Sequence, residues 1–486
     1  MTAATNLAGS ATPGIGIGSS IGKRWFDARP WQTNAALASI GVALFFLTRQ
    51  LIDEYDHFTI GFSGVSGWSC ILYLGAALIV LTQPIDRLTF PIIILVAVAC
   101  RLVALPAMPY LSSDIYRYVW DGVVQHAHIS PYRYVPGDVE LAYLRESHES
   151  IFEKINRRDY AHTIYPPAGQ ALFYLITWIS PTITFMKTVM VMFEGITMYA
   201  LVGLLRSLGI RREQTLLYAW CPVVVWEIAG SGHLDSAALA FIALALLARY
   251  RRHPVLTGLL LGVAVLLKLY PLVLLPALYR RGDFKMPAMV AGVVALGYAA
   301  YSSVGLLVFG FLGGYVKEEG LATGSRYFLL EVAQQIPGLH GVSTATYFGF
   351  CAAVFLGIIW WCWRVAGFDG GNYQRPFDFD GVASFLPPAF ALAAALMFLF
   401  SPHYAWYILW LIPFFTLMPN LPILTYVLGF FYLYTTALAE PGPKMFLANK
   451  ILYASVFGAL IIQLTLKRWP IHRPMFMQPT VTSEPL

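Results

Sequence analysis

The chain has 486 residues, of which 58% are apolar and 12% are charged, and its mean hydropathy is +0.63. This composition excludes a soluble globular protein and predicts an all-α integral membrane protein, because apolar runs long enough to span a bilayer recur along it. The net charge of +6 says less than the positions of the basic residues. The five cysteines show neither metal-ligand nor disulfide-framework spacing, so no such site is predicted.

Basic clusters beside the apolar runs predict the topology. Residues 1–22 are rich in Gly, Ser, Ala and Thr, and 1–30 are predicted to be a disordered cytoplasmic tail. Lys23, Arg24 and Arg29 precede the first apolar run, so the N-terminus is expected inside. About 13–14 crossings follow, with both termini inside and a loose tail at 471–486. The predicted spans are 33–49, 66–82, 89–107, 186–205, 215–229, 236–250, two short helices within 254–280, 287–309, 346–363, 383–400, 405–419, 421–438 and 450–466.

Residues 166–180 form an exception to this pattern. The loop before residue 163 is expected outside, and the basic residues at 206–212 are expected inside. Only one crossing fits between these positions, and residues 186–205 supply it. We therefore expect 166–180 to be an embedded helix that does not cross the membrane.

A long polar segment, the outer loop 109–185, interrupts the apolar runs. Ser112 and Ser113 can cap a helix that has Asp114 in its first turn. Helical spacing puts five polar side chains on one face: Asp114, Tyr118, Asp121, Gln125 and His128. The other face is apolar, with Ile115, Val119, Val123 and Ala127. The pattern predicts an amphipathic helix lying on the membrane surface, with both carboxylates directed away from lipid.

Further ionisable side chains are predicted at the same outer face, at the ends of spans. They are His233 and Asp235 in GHLD, Lys268 in LLKLYP, Arg326 with Glu331 in the second outer loop, and His403 in SPHY. Such groups are costly near lipid and usually have a task or a partner. Simpler roles remain open for several of them. Asp114, His233 and Asp235 could cap helices, Lys268 could snorkel, Asp121 could pair with Arg117 on the surface, and Arg101 could be a buried partner for a carboxylate.

The motifs SSDIYRYVWDG, SPYRY, IYPP, GHLD, LLKLYP and SPHYAWYILWLIP occur in this order. They resemble GT-C glycosyltransferases that use polyprenyl-phosphate sugars, and the bacterial family 87 mannosyltransferases are the most similar. The resemblance covers residues 89–420 and implies a GT-C-type catalytic membrane core there. Residues 31–88 would then be two additional spans, and 421–470 would be C-terminal spans.

The resemblance implies transfer of a sugar, expected to be mannose, from a polyprenyl-phosphate donor to a glycan, glycolipid or protein hydroxyl. The reaction is expected at the non-cytoplasmic face of a bacterial inner membrane, with no nucleic acid as partner. Asp114 stands at the family's base position. Relatives often carry Asp-x-Asp there, whereas this chain has Asp-Ile-Tyr. That difference favours metal-independent transfer without a cofactor or metal site.

The expected chemistry assigns a role to each candidate residue. A carboxylate must accept the proton of the acceptor hydroxyl, fixed cations must stabilise the leaving phosphate, and backside attack would invert the linkage. The candidates are Asp114 as base; Asp121 and Asp235 as secondary acids; Lys268, Arg326 and His403 for the donor phosphate; and Tyr118, Tyr165, His233 and Tyr404 for substrate binding.

Two hypotheses from other classes compete with an enzyme. A transporter or flippase of lipid-linked sugar predicts charges near the bilayer midplane and inverted repeats. A non-enzymatic scaffold does not require clustered acids and bases. The predicted charges gather at one face, which favours the enzyme.

Overall fold

The computed structural model describes residues 28–53, 60–109, 111–365, 384–436 and 447–466, and this part of the chain is helical without strands. The predicted tails lie outside the described residues, apart from residues 28–30. The helices are α1 (Pro30–Asp53), α2 (Ile60–Thr82), α3 (Thr89–Ala104), α4 (Asp114–His126), α5 (Ala142–Ser147), α6 (Glu149–Phe152), α7 (Pro167–Ile179), α8 (Ile183–Ser207), α9 (Leu216–Ala219), α10 (Pro222–Val224), α11 (Asp235–Tyr250), α12 (Pro254–Leu267), α13 (Leu275–Leu278), α14 (Lys285–Ala300), α15 (Leu312–Glu318), α16 (Phe328–Gln335), α17 (Thr344–Val365), α18 (Leu386–Phe400), α19 (Ile412–Leu417), α20 (Leu421–Gly429), α21 (Tyr432–Thr436) and α22 (Leu447–Thr465).

Shorter turns of other helical types connect or extend several of these helices. A π-helical turn covers Val225–Gly230. The 3₁₀ segments are Val139–Leu141, Arg212–Thr215, Tyr270–Leu274, Ser302–Phe309 and Ala405–Leu411.

Helix length and apolarity confirm an all-α membrane protein. Five helices in the described ranges, α1, α2, α8, α17 and α22, are long and apolar enough to cross a bilayer. The pair Lys285–Ala300 and Ser302–Glu318 would add a sixth span, but it bends by 113° at its break. The remaining predicted spans coincide with shorter or broken helices. The total of 13–14 crossings stays a prediction.

The core forms where helices pack along their whole length. α11 lies between α8 and α12, and its small residues are buried almost throughout. α12 in turn packs on α14, while α1 packs on α2 and α3. The segment 254–280 divides as predicted, because α12 ends at Leu267 and Lys268 adopts an extended conformation before Pro271.

The helix that begins at Asp114 exists as α4, but the prediction that it lies on the surface is wrong. The residues from Ile115 to Val124 are all buried, on both faces. The face predicted to be polar and exposed is covered by α7. Gly122 permits this approach, since a Cβ there would collide with the Thr177 side chain and lie 2.7 Å from the Phe173 carbonyl oxygen. α4 ends at His126, so His128 lies beyond it with φ of 60°.

The helix α7 corresponds to the predicted embedded helix 166–180. It has 13 residues, which at about 1.5 Å per residue span about 20 Å. A hydrocarbon core is about 30 Å thick. This length agrees with a helix that does not cross, and the non-crossing arrangement stays a prediction.

Candidate active site

Asp114 opens α4 with its carboxylate free of a capping role. The N-cap position belongs to Ser113, and the Ser112 hydroxyl accepts the Asp114 backbone N–H at 3.2 Å. The Asp114 carboxylate instead accepts a hydrogen bond from Asn156 Nδ2 at 3.3 Å, and its side chain is 22% exposed. A carboxylate that is anchored and still reachable by solvent is well placed to contact a bound molecule.

An open cleft lies in front of this carboxylate. Arg157 and Asn156 line it from the loop after α6, and Tyr165 lines it from the segment before α7. Phe311 and Tyr315 close it from the region of α15. The cleft therefore places an acid, a guanidinium group and aromatic rings around one space. Arg157 is not among the residues predicted from sequence, because it lies in a polar loop with no local pattern to distinguish it.

A cluster of charges joins three distant segments beside the cleft. Arg157 Nε lies 2.7 Å from Glu318 Oε2, and Arg326 Nη1 lies 3.1 Å from Glu319 Oε2. His403 Nδ1 lies 3.4 Å from the same Glu319 oxygen. Burial raises the pKa of Glu319 against the opposing effects of Arg326 and Arg157. Burial and the same two arginines lower the pKa of His403 to about 3. His403 is thus neutral at physiological pH and offers a hydrogen bond, not a charge.

Arg326 and Glu331, which the sequence places in the same outer loop, pair with different partners. Arg326 pairs with Glu319, while Glu331 pairs with Lys450 at 2.6 Å. Helical spacing cannot reveal this difference, because the partner of Glu331 comes from α22, more than a hundred residues further along the chain.

Lys268 turns inward and pairs with a buried acid. Its Nζ lies 3.1 Å from Asp235 Oδ2, and Trp410 Nε1 donates to Asp235 Oδ1 at 3.0 Å. The ammonium also stands 5.6 Å from the centre of the Tyr165 ring. The extended conformation after α12 makes this reach possible, so Lys268 is held by Asp235 at the start of α11 and does not snorkel.

His233 lies between two carboxylates. Its Nδ1 is 4.0 Å from Asp114 Oδ2, and its Nε2 is 3.4 Å from Glu227 Oε2. The imidazole stacks on Trp406 with ring centres 4.5 Å apart. Gly232 sets this turn with φ of 76°, and a Cβ there would collide with the Ile115 side chain. Glu227 is not among the residues predicted from sequence, although a lone acid inside the apolar run LLYAWCPVVVWEIAG indicates a functional or paired group.

Asp121 pairs with Arg117 at 2.7 Å, as its spacing predicted. The expectation of a surface pair is wrong, because both side chains are buried. Gln170 of α7 donates to the second Asp121 oxygen at 2.9 Å, and Arg117 also donates to the Ala161 carbonyl at 3.0 Å. A buried pair that is bonded on both sides stabilises the α4–α7 contact, and its Arg117 side also lines the cleft.

The predicted substrate-binding tyrosines divide into two groups. Tyr118 is fully buried and stacks on Phe173 at 4.6 Å, so it supports the cleft from behind. Tyr165 packs edge-on against Tyr118 and lines the cleft. Tyr404 stacks on Trp406 at 4.3 Å. Through Trp406, Tyr404 is linked to His233, so the motif SPHYAW contacts the motif GHLD.

A buried ion pair lies in the helical core, away from the cleft. Arg101 of α3 pairs with Glu194 of α8 at 2.8 Å, so its buried partner is a core carboxylate. Within the described ranges, no group of three or more His, Cys, Asp or Glu side chains could hold a metal ion.

Two protein-family models match the chain. The model described as "Alpha-(1->6)-mannopyranosyltransferase, N-terminal domain" matches residues 35–280. The model described as "Glycosyltransferase family 87" matches residues 163–402. No curated protein and no solved structure matches the chain. The two matches overlap and together include every element that lines the cleft.

Proposed function

We propose, on the premise that this chain belongs to the GT-C-type family 87 mannosyltransferases, that it transfers mannose from a polyprenyl-phosphate donor to an acceptor hydroxyl, with Asp114 as general base. Family membership makes the chain a glycosyltransferase and favours the enzyme over the transporter and scaffold hypotheses. The donor, the acceptor, the base and the side of the membrane belong to the proposal. The transfer takes place at the non-cytoplasmic face of a bacterial inner membrane.

One observation supports the assignment of the base above all. Asp114 is the carboxylate that is both anchored, by Asn156, and exposed to the cleft that contains Arg157. An acceptor hydroxyl has a high pKa, so its attack on the anomeric carbon needs a proton acceptor within hydrogen-bond reach. Such a base contributes about 10²–10⁴-fold to the rate.

The leaving phosphate needs fixed positive charge in a poorly solvated space. Arg157 lines the cleft itself, and Arg326 and Lys268 are held beside it by Glu319 and Asp235. These carboxylates orient the cations before the donor arrives, so little reorganisation is needed when charge develops on the phosphate. Attack from the side opposite the phosphate inverts the linkage. Because Asp-Ile-Tyr lacks the second acid of Asp-x-Asp, the transfer is proposed to be metal-independent.

The test uses membranes from overexpressing cells that are given radiolabelled polyprenyl-phosphate mannose, and then other polyprenyl-phosphate sugars. Mannose should be transferred in preference to the others. Failure of every polyprenyl-phosphate sugar to serve as donor would refute the donor class.

Asp114→Asn tests the base in the same assay. The amide keeps the size of the side chain and removes its proton-accepting power, so turnover should fall by about 10²-fold or more while donor KM is kept. Asp138→Asn is the matched control, because Asp138 only caps the turn Val139–Leu141 by accepting the Glu140 N–H, and Asn caps about as well as Asp. Near wild-type turnover of Asp114→Asn would contradict the mechanism.

A further inference from the structure

A fully buried carboxylate lies behind the proposed base, and the mechanism above gives it no role. Glu227 belongs to the π-helical turn Val225–Gly230 and is 0% exposed. His233 stands between Glu227 and Asp114, with its two ring nitrogens 3.4 Å and 4.0 Å from their respective carboxylates. A single imidazole ring therefore lies between a buried acid and the acid at the cleft, at distances longer than well-formed hydrogen bonds.

The ring is fixed in this position from three directions. Trp406 stacks on its face, Gly232 sets the backbone turn before it, and its own backbone N–H donates to the Glu227 carbonyl oxygen at 3.1 Å. The π-helical turn is a rare conformation that is frequent at functional sites, because it changes the direction of a side chain within a helix. Backbone and ring contacts together hold Glu227 and His233 as one unit.

The charges around this unit make the pairing necessary. A buried carboxylate is costly unless a cation or a hydrogen bond compensates for lost water. His233 is the basic side chain at ion-pair distance from Glu227. The other titratable groups that act on Glu227 or His233 are Asp114 of α4, Asp235 with its partner Lys268, and Tyr426 of α20. Tyr118 of α4 lies beside Asp114 and Asp235.

We propose that Glu227 is a positioning residue that acts on Asp114 through His233, so that the three side chains form a proton relay. The relay rests on the proposed role of Asp114 as base. The acceptor O–H bond breaks as its oxygen bonds to the anomeric carbon and the donor phosphate leaves with the bonding electrons. The proton passes to Asp114 and then to His233 Nδ1, while the Glu227 carboxylate stabilises the imidazolium through Nε2–H.

The relay restores Asp114 as a carboxylate before the product has left the cleft. After product release the proton returns through Asp114 to water. The distance of 4.0 Å between Asp114 and His233 is longer than a hydrogen bond, and catalytic hydrogen bonds commonly shorten when substrate binds. The direct consequence is that Glu227 influences how turnover depends on pH.

Glu227→Gln keeps the side-chain volume and removes the charge. Turnover should fall by about tenfold at neutral pH with donor KM unchanged. The acid limb of the turnover–pH profile should move about one unit lower, because an imidazolium without its carboxylate forms less readily. His233→Gln should cause a similar loss, and the double variant should lose no more than either single variant, since both act through one path.

Glu194→Gln is the matched control. Glu194 is equally buried but pairs with Arg101 in the core, so its loss should affect stability and leave the pH profile in place. If Glu227→Gln does not fold, the relay is tested with His233→Gln instead. A His233→Gln variant that turns over as fast as the wild type would overturn the relay. Additive losses, or an unmoved pH profile in Glu227→Gln, also overturn it. If either of these results is found and Asp114→Asn is inactive, the relay is refuted and Asp114 remains the base. If Asp114→Asn is active, both the proposed base and the relay are refuted.

Discussion

Replacing Lys268 with Met removes the cation that neutralises a buried acid. Lys268 Nζ lies 3.1 Å from Asp235 Oδ2, and Asp235 is fully buried at the start of α11. The other Asp235 oxygen accepts the hydrogen bond from Trp410 at 3.0 Å. The substitution therefore has two separable consequences, one for folding and one for the donor phosphate.

The size of the folding effect follows from these contacts. Removing one partner of a buried ion pair costs about 3–5 kcal/mol, because the remaining charge stays buried and unpaired. Two features reduce this cost. The Lys268 side chain is 19% exposed, so solvent already screens part of the attraction, and the Trp410 hydrogen bond remains. We expect Lys268→Met to lower the free energy of unfolding by about 2–3 kcal/mol.

Thermal unfolding in detergent, followed by tryptophan fluorescence, measures the effect on folding. The donor KM measures the effect on binding of the donor phosphate. The double variant Lys268→Met/Asp235→Asn should recover most of the lost stability, since it buries no uncompensated charge and keeps an oxygen for Trp410. Its donor KM should stay raised, because the phosphate has lost a cation. Recovery of both stability and donor KM would return Lys268 to a purely structural role. An unchanged unfolding temperature in Lys268→Met would refute the ion-pair reasoning itself.

Three further predictions concern burial, pH and topology. Asp121→Asn leaves Arg117 buried without its carboxylate, so thermal unfolding should show a loss of about 1–3 kcal/mol; an unchanged unfolding temperature would contradict this. The folded-state pKa of His403 is about 3, below its ordinary 6.5, so between these pH values the unfolded chain binds more protons than the folded chain. Stability should therefore fall as the pH drops from 6.5 to 3. In thermal unfolding, His403→Gln should reduce this dependence of stability on pH, and an unchanged dependence would exclude His403 as its source. A cysteine at the exposed Ser147 should react with an impermeant thiol reagent from outside and one at the exposed Ser207 should not; the opposite labelling would reverse the topology.

The sequence by itself determined the features that depend on neighbouring residues. Apolar length and helical period predicted the helices, since both are local properties of the chain. The start of α4 at Asp114 and the break before Lys268 followed from Ser, Pro and charge placement. The pairing of Asp121 with Arg117 followed from the i, i+4 spacing, which brings such side chains together in any helix. The order of the motifs predicted the enzyme family.

Only the tertiary structure decided what covers each helix face and which charges meet. α4 is buried because Gly122 has no side chain and so allows α7 to pack closely against it. The residues near Gly122 in the sequence do not indicate that α7 is the helix that packs there. Arg157 meets Glu318 across 161 positions, and Arg326 meets His403 across 77. Periodicity predicts whether a helix face is polar or apolar. Which element packs on that face depends on contacts between helices that are distant in sequence. In a membrane protein the sequence says even less about which helices pack together, because a face toward lipid and a face toward protein are both apolar.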